Sequence, residues 1–359
     1  MWPDTRLTKL IGIEHPIVLA PMAGAMDYEL VAAVSEAGGL GSLPCAMLTA
    51  QTLHDQFAKL RARTDKPVNV NFFCHTPPVP NNAREARWRD ALRPYYEELG
   101  IDPSAPVPSS NRAPFDAAFC EAIEELQPEV VSFHFGLPEA SLLKRVKAAG
   151  AIVISSATVA AEAVWLEQHG ADAVIAQGYE AGGHRGMFLT DDIAAQVGTF
   201  ALVPQIVDAV KVPVIAAGGV ADARGIAAAF ALGAAGVQIG TAFLHCPEAR
   251  ISPMHRAALT SAGDAGTALT NLMTGRPARG VVNRVMREMG PIGEAPAFPL
   301  AAGALAPLRA KAEAAGSSDF SPMWSGQAAA LGVAMPAGAL TQKLAAAAQA
   351  ELQRLAGAR

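Results

Sequence analysis

Short runs of consecutive apolar, often β-branched residues recur along the chain, and most are followed by apolar residues at helical spacing. The runs are Pro16–Pro21, Leu40–Leu43, Val68–Phe73, Val130–Phe135, Ile152–Ser155, Ala173–Gln177, Val212–Ala216 and Gly236–Ile239. Helical spacing falls at Tyr28–Ala37, Thr49–Arg63, Pro114–Leu126, Glu139–Ala149, Ala160–His169, Val203–Val210 and Ala223–Leu232, with Thr49 placed as an N-cap. A strand facing water on one side alternates apolar and polar residues, and these do not. Unbroken apolar runs imply a sheet covered on both faces, hence parallel strands. Eight such βα units point to an α/β fold closed as a (β/α)8 barrel, with a doubly wound open sheet as its competitor.

Two regions break the rhythm. Residues 74–114 are rich in Pro, Asn and Arg and read as a loop insertion after the third strand. Residues 245–323 carry helical patterns without a clear strand and read as a small, mainly helical cap or substrate region beside the mouth. The barrel then occupies 1–244, and 324–359 supplies a C-terminal helix, Gly338–Ala356, returning to its outer ring.

Composition narrows the classes. The 359 residues carry 28 Lys+Arg against 33 Asp+Glu, a net charge of −5, with 51% hydrophobic and 17% charged residues. That mix excludes a disordered chain, and mild acidity without a basic face argues against nucleic acid. Gly225–Pro247 lacks Asp, Glu, Lys and Arg, but its glycines and Gln238 suit a buried αβ unit better than a membrane span. No long apolar leader follows the start. The four cysteines form no CxxC pair, so a reducing cytoplasm is expected and a metal site is not. Cys74-His75 has no second ligand pair at useful spacing.

In such a barrel the working residues lie on loops after the strands. Gln177–Gly186 (QGYEAGGHRG) follows the sixth run, Ala217-Gly218-Gly219-Val220 the seventh, and Gln238-Ile239-Gly240-Thr241 the eighth. Glycine loops after the last two strands, each leading to a helix, form the usual barrel phosphate cradle, in which backbone N–H groups hold an anion without a lysine. His184, in a glycine-rich loop at the mouth, is the leading catalytic candidate, because its ordinary pKa near 6.5 suits a base or a hydrogen-bond donor. His134, at the end of the fourth run, reaches the same pocket or packs as a core residue.

Pro21-Met22-Ala23-Gly24, Asn71 in VNVNFF, QGYEAGGHRG, PVIAAGG and QIGTAFL together resemble the nitronate monooxygenase family, in its class I bacterial branch. The resemblance runs from Trp2 to Met323-Trp324-Ser325-Gly326-Gln327. It implies a TIM barrel that binds FMN and oxidises alkyl nitronates such as propionate 3-nitronate by O2, through a flavin semiquinone, to a carbonyl compound and nitrite. By that similarity Pro21, Met22 and Ala23 lie beside the flavin ring, and Asn71 and Gln177 bond its edge. Gly182, Gly183, Gly218, Gly219 and Gln238–Thr241 surround the ribityl phosphate, while His134, Trp324 and Gln327 line the substrate side. One departure is Phe298, where some members carry a tyrosine before the proline, so substrate choice is open. The expected partners are a small anionic nitronate and O2, in a monomer or homodimer. The rivals are an FMN-dependent NAD(P)H:quinone or enoyl reductase, a cofactor-free barrel aldolase or isomerase, and a non-catalytic flavin sensor.

Overall fold

The computed structural model describes residues 1–108 and 112–357. Eight parallel strands form one sheet: β1 (Ile17–Leu19), β2 (Gly41–Pro44), β3 (Val68–Phe73), β4 (Val130–His134), β5 (Ile152–Ala157), β6 (Ala173–Gln177), β7 (Val214–Ala217) and β8 (Gly236–Ile239). Their spatial order is their chain order, and β1 also pairs with β8. The last seam closes at Leu40, whose C=O accepts from Leu19 N–H and whose N–H donates to Ile17 C=O, both at 2.9 Å. The protein is therefore a (β/α)8 TIM barrel with helices between its strands.

The unbroken apolar runs have the expected cause. One set of side chains (Val18, Ile154, Ile175, Ile215) fills the barrel, with Leu7 and Ile11 of the helix Arg6–Ile11 in the same cluster. The other set (Leu19, Val70, Val131, Val174) packs under the helices. Each fully buried aliphatic side chain contributes about 1.5–3 kcal/mol. Asn69 is a polar exception, tolerated because its amide donates to Ser42 Oγ and Ser132 Oγ, both at 2.9 Å. Helix starts follow local chemistry. Thr49 and Thr52 form a reciprocal capping box, and the Asp27, Asp116 and Asp222 carboxylates accept from the first N–H groups of their helices. Such a cap is worth about 1 kcal/mol.

Outside the barrel lies a second core. The insertion holds a helix, Asn82–Glu98, which packs on the helix Ala301–Ala314. Trp88 Nε1–H donates to Ala301 C=O (3.2 Å) and Tyr96 Oη–H to Ala304 C=O (2.6 Å), while Leu92, Met286, Leu308 and Phe320 fill the space between. The 74–114 insertion and the 245–323 region thus meet in one hydrophobic cluster. Residues 245–323 also hold two strands, Thr267–Thr270 and Ala278–Val281, where the sequence read as mainly helical with no clear strand. They form an antiparallel sheet with the two-residue strand Gly183–His184 of the loop after β6. Four-residue segments containing Arg279 or two threonines carry too little alternation to be seen in sequence. The helix Ala337–Leu355 packs beside Tyr28–Glu36 and Ala223–Ala231. Among the described residues, no helix is long and apolar enough to cross a membrane.

Candidate active site

The loops after β1, β7 and β8 meet at one side of the mouth. Ala20 N–H donates to Ile239 C=O (2.8 Å), drawing the Pro21–Ala23 loop to the end of β8. A Cβ on Gly240 would lie 3.2 Å from Ala20 Cβ and 3.6 Å from Met22 Sδ. Gly218 and Gly219 have φ of +110° and +72°, a region L-residues avoid, and a Cβ on Gly218 would sit 3.0 Å from both Ala181 N and Thr199 Oγ1. The chain thus turns tightly here on backbone alone. The Glu180 carboxylate beside these loops is spent on Thr199, accepting from its N–H (2.8 Å) and its hydroxyl (2.8 Å). These glycine turns, packed against Ala20, Met22, Thr199 and Glu180, offer backbone N–H groups of the kind that fits a phosphate-bearing cofactor.

The loop after β6 is held at both ends by buried polar groups. Arg185, fully buried, donates to Gln177 C=O (2.6 Å), Gly178 C=O (2.5 Å) and Gln196 Oε1 (2.8 Å). Burial pushes its pKa down to about 10, which leaves it charged at neutral pH. Buried Glu162 accepts from Thr158 and from the N–H groups of Phe188 and Leu189. Gln177 bridges the loop internally, donating to His184 C=O (2.9 Å) and accepting from Gly186 N–H (2.7 Å). Its amide is committed to the loop, whereas the resemblance places it on the flavin edge. Asn71 likewise turns its NH2 to Ser132 Oγ, at 2.9 Å.

His134 completes the clamp. Its Nε2 lies 3.1 Å from His184 C=O, which can only accept, so Nε2 carries the proton and Nδ1 accepts from Ser156 Oγ–H (3.1 Å). Burial pushes its pKa down to about 3. One ring nitrogen therefore holds the loop that carries His184, and the other anchors the ring to Ser156 of β5.

The His184 ring lies among Phe73, Phe135, Phe298 and Trp324, with centroids 5.3–6.1 Å away. Its Nε2 meets Thr274 Oγ1 at 2.9 Å. Burial first, then the charges of Arg112, His134, Arg276 and His75, hold its pKa well below 6.5. His184 is thus neutral at physiological pH and sits in a positive field. The guanidinium of Arg276 lies 4.1 Å from the Phe135 ring centroid and donates to Met187 C=O.

The MWSGQ segment also returns to the mouth. Met323 C=O and Ser325 N–H pair with the strand Ala278–Val281. Gly326 N–H donates to Thr241 Oγ1 (2.8 Å), and Gln327 N–H to Glu180 C=O (3.0 Å). Gly182 lies against this segment, for its Cβ would be 2.5 Å from Gly326 N. The Gln327 side chain is exposed, so its backbone rather than its amide joins the site. Among the described residues, no three His, Cys, Asp or Glu groups converge as metal ligands.

Beside the His184 chamber lies a cleft of about 590 Å³ between the insertion, the β6 loop and the cap. His75, Arg84, Asp191, Arg276 and Phe298 are among its lining residues. Sequence reasoning missed His75, Arg112, Thr274 and Arg276 as site residues. Only His75 left a usable signal, because it follows the C-terminal end of β3, where barrel chemistry gathers.

Glycine turns after the last two strands beside a histidine chamber mark the mouth of this barrel as the candidate active site of a TIM-barrel enzyme. The family model for nitronate monooxygenase matches residues 4–347. A nitronate monooxygenase of Pseudomonas aeruginosa is 42% identical over 342 residues, covering 94% of this chain and 97% of that protein. A nitroalkane oxidase from Streptomyces ansochromogenes superposes with a TM-score of 0.88 at 38% identity, covering 98% of this chain and 99% of that one. FabK from Thermotoga maritima follows at 0.75 and 30%, covering 99% of each chain. The chain belongs to the nitronate monooxygenase family, and is an oxidoreductase of that flavin-dependent group.

Proposed function

We propose that the protein binds FMN and oxidises small alkyl nitronates, such as propionate 3-nitronate, with O2 to a carbonyl compound and nitrite. The observation that carries this reading is the enclosed His184 ring, packed among Phe73, Phe135, Phe298 and Trp324 with its Nε2 at 2.9 Å from Thr274 Oγ1, and the Arg276 guanidinium over the neighbouring Phe135 ring at 4.1 Å. A positive charge so placed penalises imidazolium and favours an anion, so the pocket suits a substrate that arrives already deprotonated. FMN would supply the redox chemistry when bound, and the Gly218-Gly219 and Gly240-Thr241 turns together with Met22 would hold it.

The chain's own residues do the rest. When Thr274 Oγ–H donates to His184 Nε2, the proton of the neutral ring sits on Nδ1, which can donate to the nitronate oxygen. His134 and Gln177 fix the His184 backbone, and Phe73, Phe135, Phe298 and Trp324 limit water. A second arrangement has one specific support. Thr274 Oγ1 also lies 3.5 Å from Arg276 C=O, and donation there puts the His184 proton on Nε2 and leaves Nδ1 as a base for a neutral nitroalkane.

The test reconstitutes the protein with FMN and measures oxygen uptake and nitrite release with propionate 3-nitronate, then adds NADH anaerobically in a separate sample. Nitrite release with a flavin unmoved by NADH is the expected result. Full bleaching by NADH with nitronate inert hands the site to a reductase. Failure to take up FMN favours a cofactor-free barrel, and flavin uptake with no turnover favours a sensor.

A further inference from the structure

The cleft beside the His184 chamber is larger than a three-carbon substrate needs, and two of its charged groups, Arg84 and Asp191, lie outside the set that acts on His184, while Arg276 faces both spaces. Two buried nitrogens on its lining residues have no protein partner, Nε of Arg276 and Nδ1 of His75. His75 is 5% exposed, its ring hydrogen-bonds the Arg112 backbone, and it packs edge-on against Phe73, Phe135 and Phe298. Buried polar atoms without partners are rare, and each is a place where a ligand or an ordered water fits. The charges facing the cleft are Arg84 and Arg276 against one carboxylate, Asp191, so its balance is positive. Glu162 also acts on Arg276, but its oxygens are already spent on Thr158, Phe188 and Leu189.

Phe298 is the wall shared by the two spaces. It lines the cleft, and its ring centroid lies 5.3 Å from that of His184 and 4.8 Å from that of His75. An apolar chain lying along this ring would have one end at His184 and the other among Arg276, Arg84 and Asn271. A volume of about 590 Å³ is in the range of ligand pockets.

We propose that the cleft is a recognition site for the distal carboxylate of an extended substrate, so that the enzyme prefers long-chain ω-carboxylated nitronates over short or uncharged ones. Arg276 Nε–H donates to the carboxylate, Arg84 adds charge at the rim, and a water carried with the anion donates to His75 Nδ1. Phe298 supports the methylenes between the two ends.

This proposal rests on the nitronate reading given above, and its first test does not. Hexanoate is titrated calorimetrically into the FMN-loaded protein, into Arg276→Gln and into Arg84→Gln. Hexanoate binding that weakens about tenfold or more in Arg276→Gln and less in Arg84→Gln supports the site. No binding to the wild type, or binding untouched by both changes, overturns it. The second test compares kcat/KM for the nitronates of 6-nitrohexanoate, 1-nitrohexane and 3-nitropropionate. The expected order puts 6-nitrohexanoate first, by about tenfold over 1-nitrohexane, with that ratio collapsing in Arg276→Gln and partly restored in Arg276→Lys. A ratio near one in the wild type overturns the proposal. If no nitronate is oxidised while hexanoate still binds at Arg276, the anion site stands and the reaction assignment falls.

Discussion

The two halves of the mouth are made in different ways. Around Gly218, Gly219 and Gly240 the chain offers mainly backbone, packed against Thr199, Ala20 and Met22, and the one carboxylate there, Glu180, is already tied to Thr199. Around His184 it offers side chains from distant parts of the chain: Phe73, His75, Arg112, His134, Thr274, Arg276, Phe298 and Trp324. The first half depends on where the main chain turns. The second depends on buried charge and on a loop pinned by Arg185, Gln177 and His134. A cofactor phosphate common to many reactions suits the first, and a choice among substrates suits the second. Changes at the two halves should therefore separate cofactor affinity from turnover.

The largest effect falls on His184. His184→Ala should lower nitronate turnover by about 10²–10³-fold while FMN affinity changes little. His184→Asn keeps a donor, and should recover part of the loss if His184 orients an anion. If Asn and Ala are equally poor, and both lose neutral nitroalkanes far more than nitronates, the base arrangement through Thr274 is correct. Loss of FMN in either variant would erase the division between the halves.

Arg185 comes next. Arg185→Met leaves the carbonyls of Gln177 and Gly178 and the Gln196 amide without a donor in a buried place. We expect a loss of about 3 kcal/mol in stability, read by urea unfolding, because each buried group left unpaired costs about 1–3 kcal/mol and some relax to water. Turnover of the surviving folded fraction should fall as well, since the same loop carries His184.

How much of this was legible beforehand follows the same division. The glycine turns after β7 and β8 lie on consecutive residues, so their spacing could be read directly, as could the apolar runs of the strands. His184 was legible because four glycines surround it in QGYEAGGHRG. Arg276, Thr274 and Arg112 were not, since each sits in an unremarkable polar stretch and gains its role only when the insertion and the 245–323 region fold over the mouth. The helix Asn82–Glu98 was missed for a related reason. Its buried residues, Trp88, Leu92, Tyr95 and Tyr96, are scattered among arginines and glutamates, and their partners lie some two hundred residues away. Gln177 was placed at the mouth by sequence, but its bonds to His184 and Gly186 depend on a loop conformation that spacing does not encode.

The side-chain half also predicts a response to acid. His75 and His134 are held down to about 4 and about 3, and His184 well below 6.5, chiefly by burial. Their folded-state values lie below the unfolded value near 6.5, so at intermediate pH the unfolded chain binds more protons than the folded one. Their stabilisation is thus complete above about pH 6.5 and is lost as pH falls from there towards the folded values. Each histidine contributes a slope of up to about 1.4 kcal/mol per pH unit within its window. Urea unfolding at a series of pH values should show stability dropping below pH 6.5, with a shallower slope in His134→Gln. A flat profile between pH 6.5 and 4.5 would mean the three rings are not buried neutral.

The smallest expected effect tests the backbone half, and two neighbouring glycines supply an internal control. Both Gly218 and Gly219 have positive φ, so alanine at either is strained by about 1–2 kcal/mol. The space around them differs. A Cβ on Gly218 would press on Ala181 N and Thr199 Oγ1 at 3.0 Å, whereas on Gly219 the nearest atom is Glu180 Cβ at 3.7 Å, an ordinary contact. Gly218→Ala must therefore shift the turn, and should weaken FMN binding about tenfold beyond Gly219→Ala, measured by flavin fluorescence on reconstitution. Hexanoate binding at Arg276 should be unchanged in both, because neither glycine touches that cleft. Equal loss of FMN in the two variants would show that strain alone, and not crowding against Thr199, governs this half. A change in hexanoate binding would show that the two halves move together, and the separation between a backbone-made cofactor seat and a side-chain-made substrate seat would not hold.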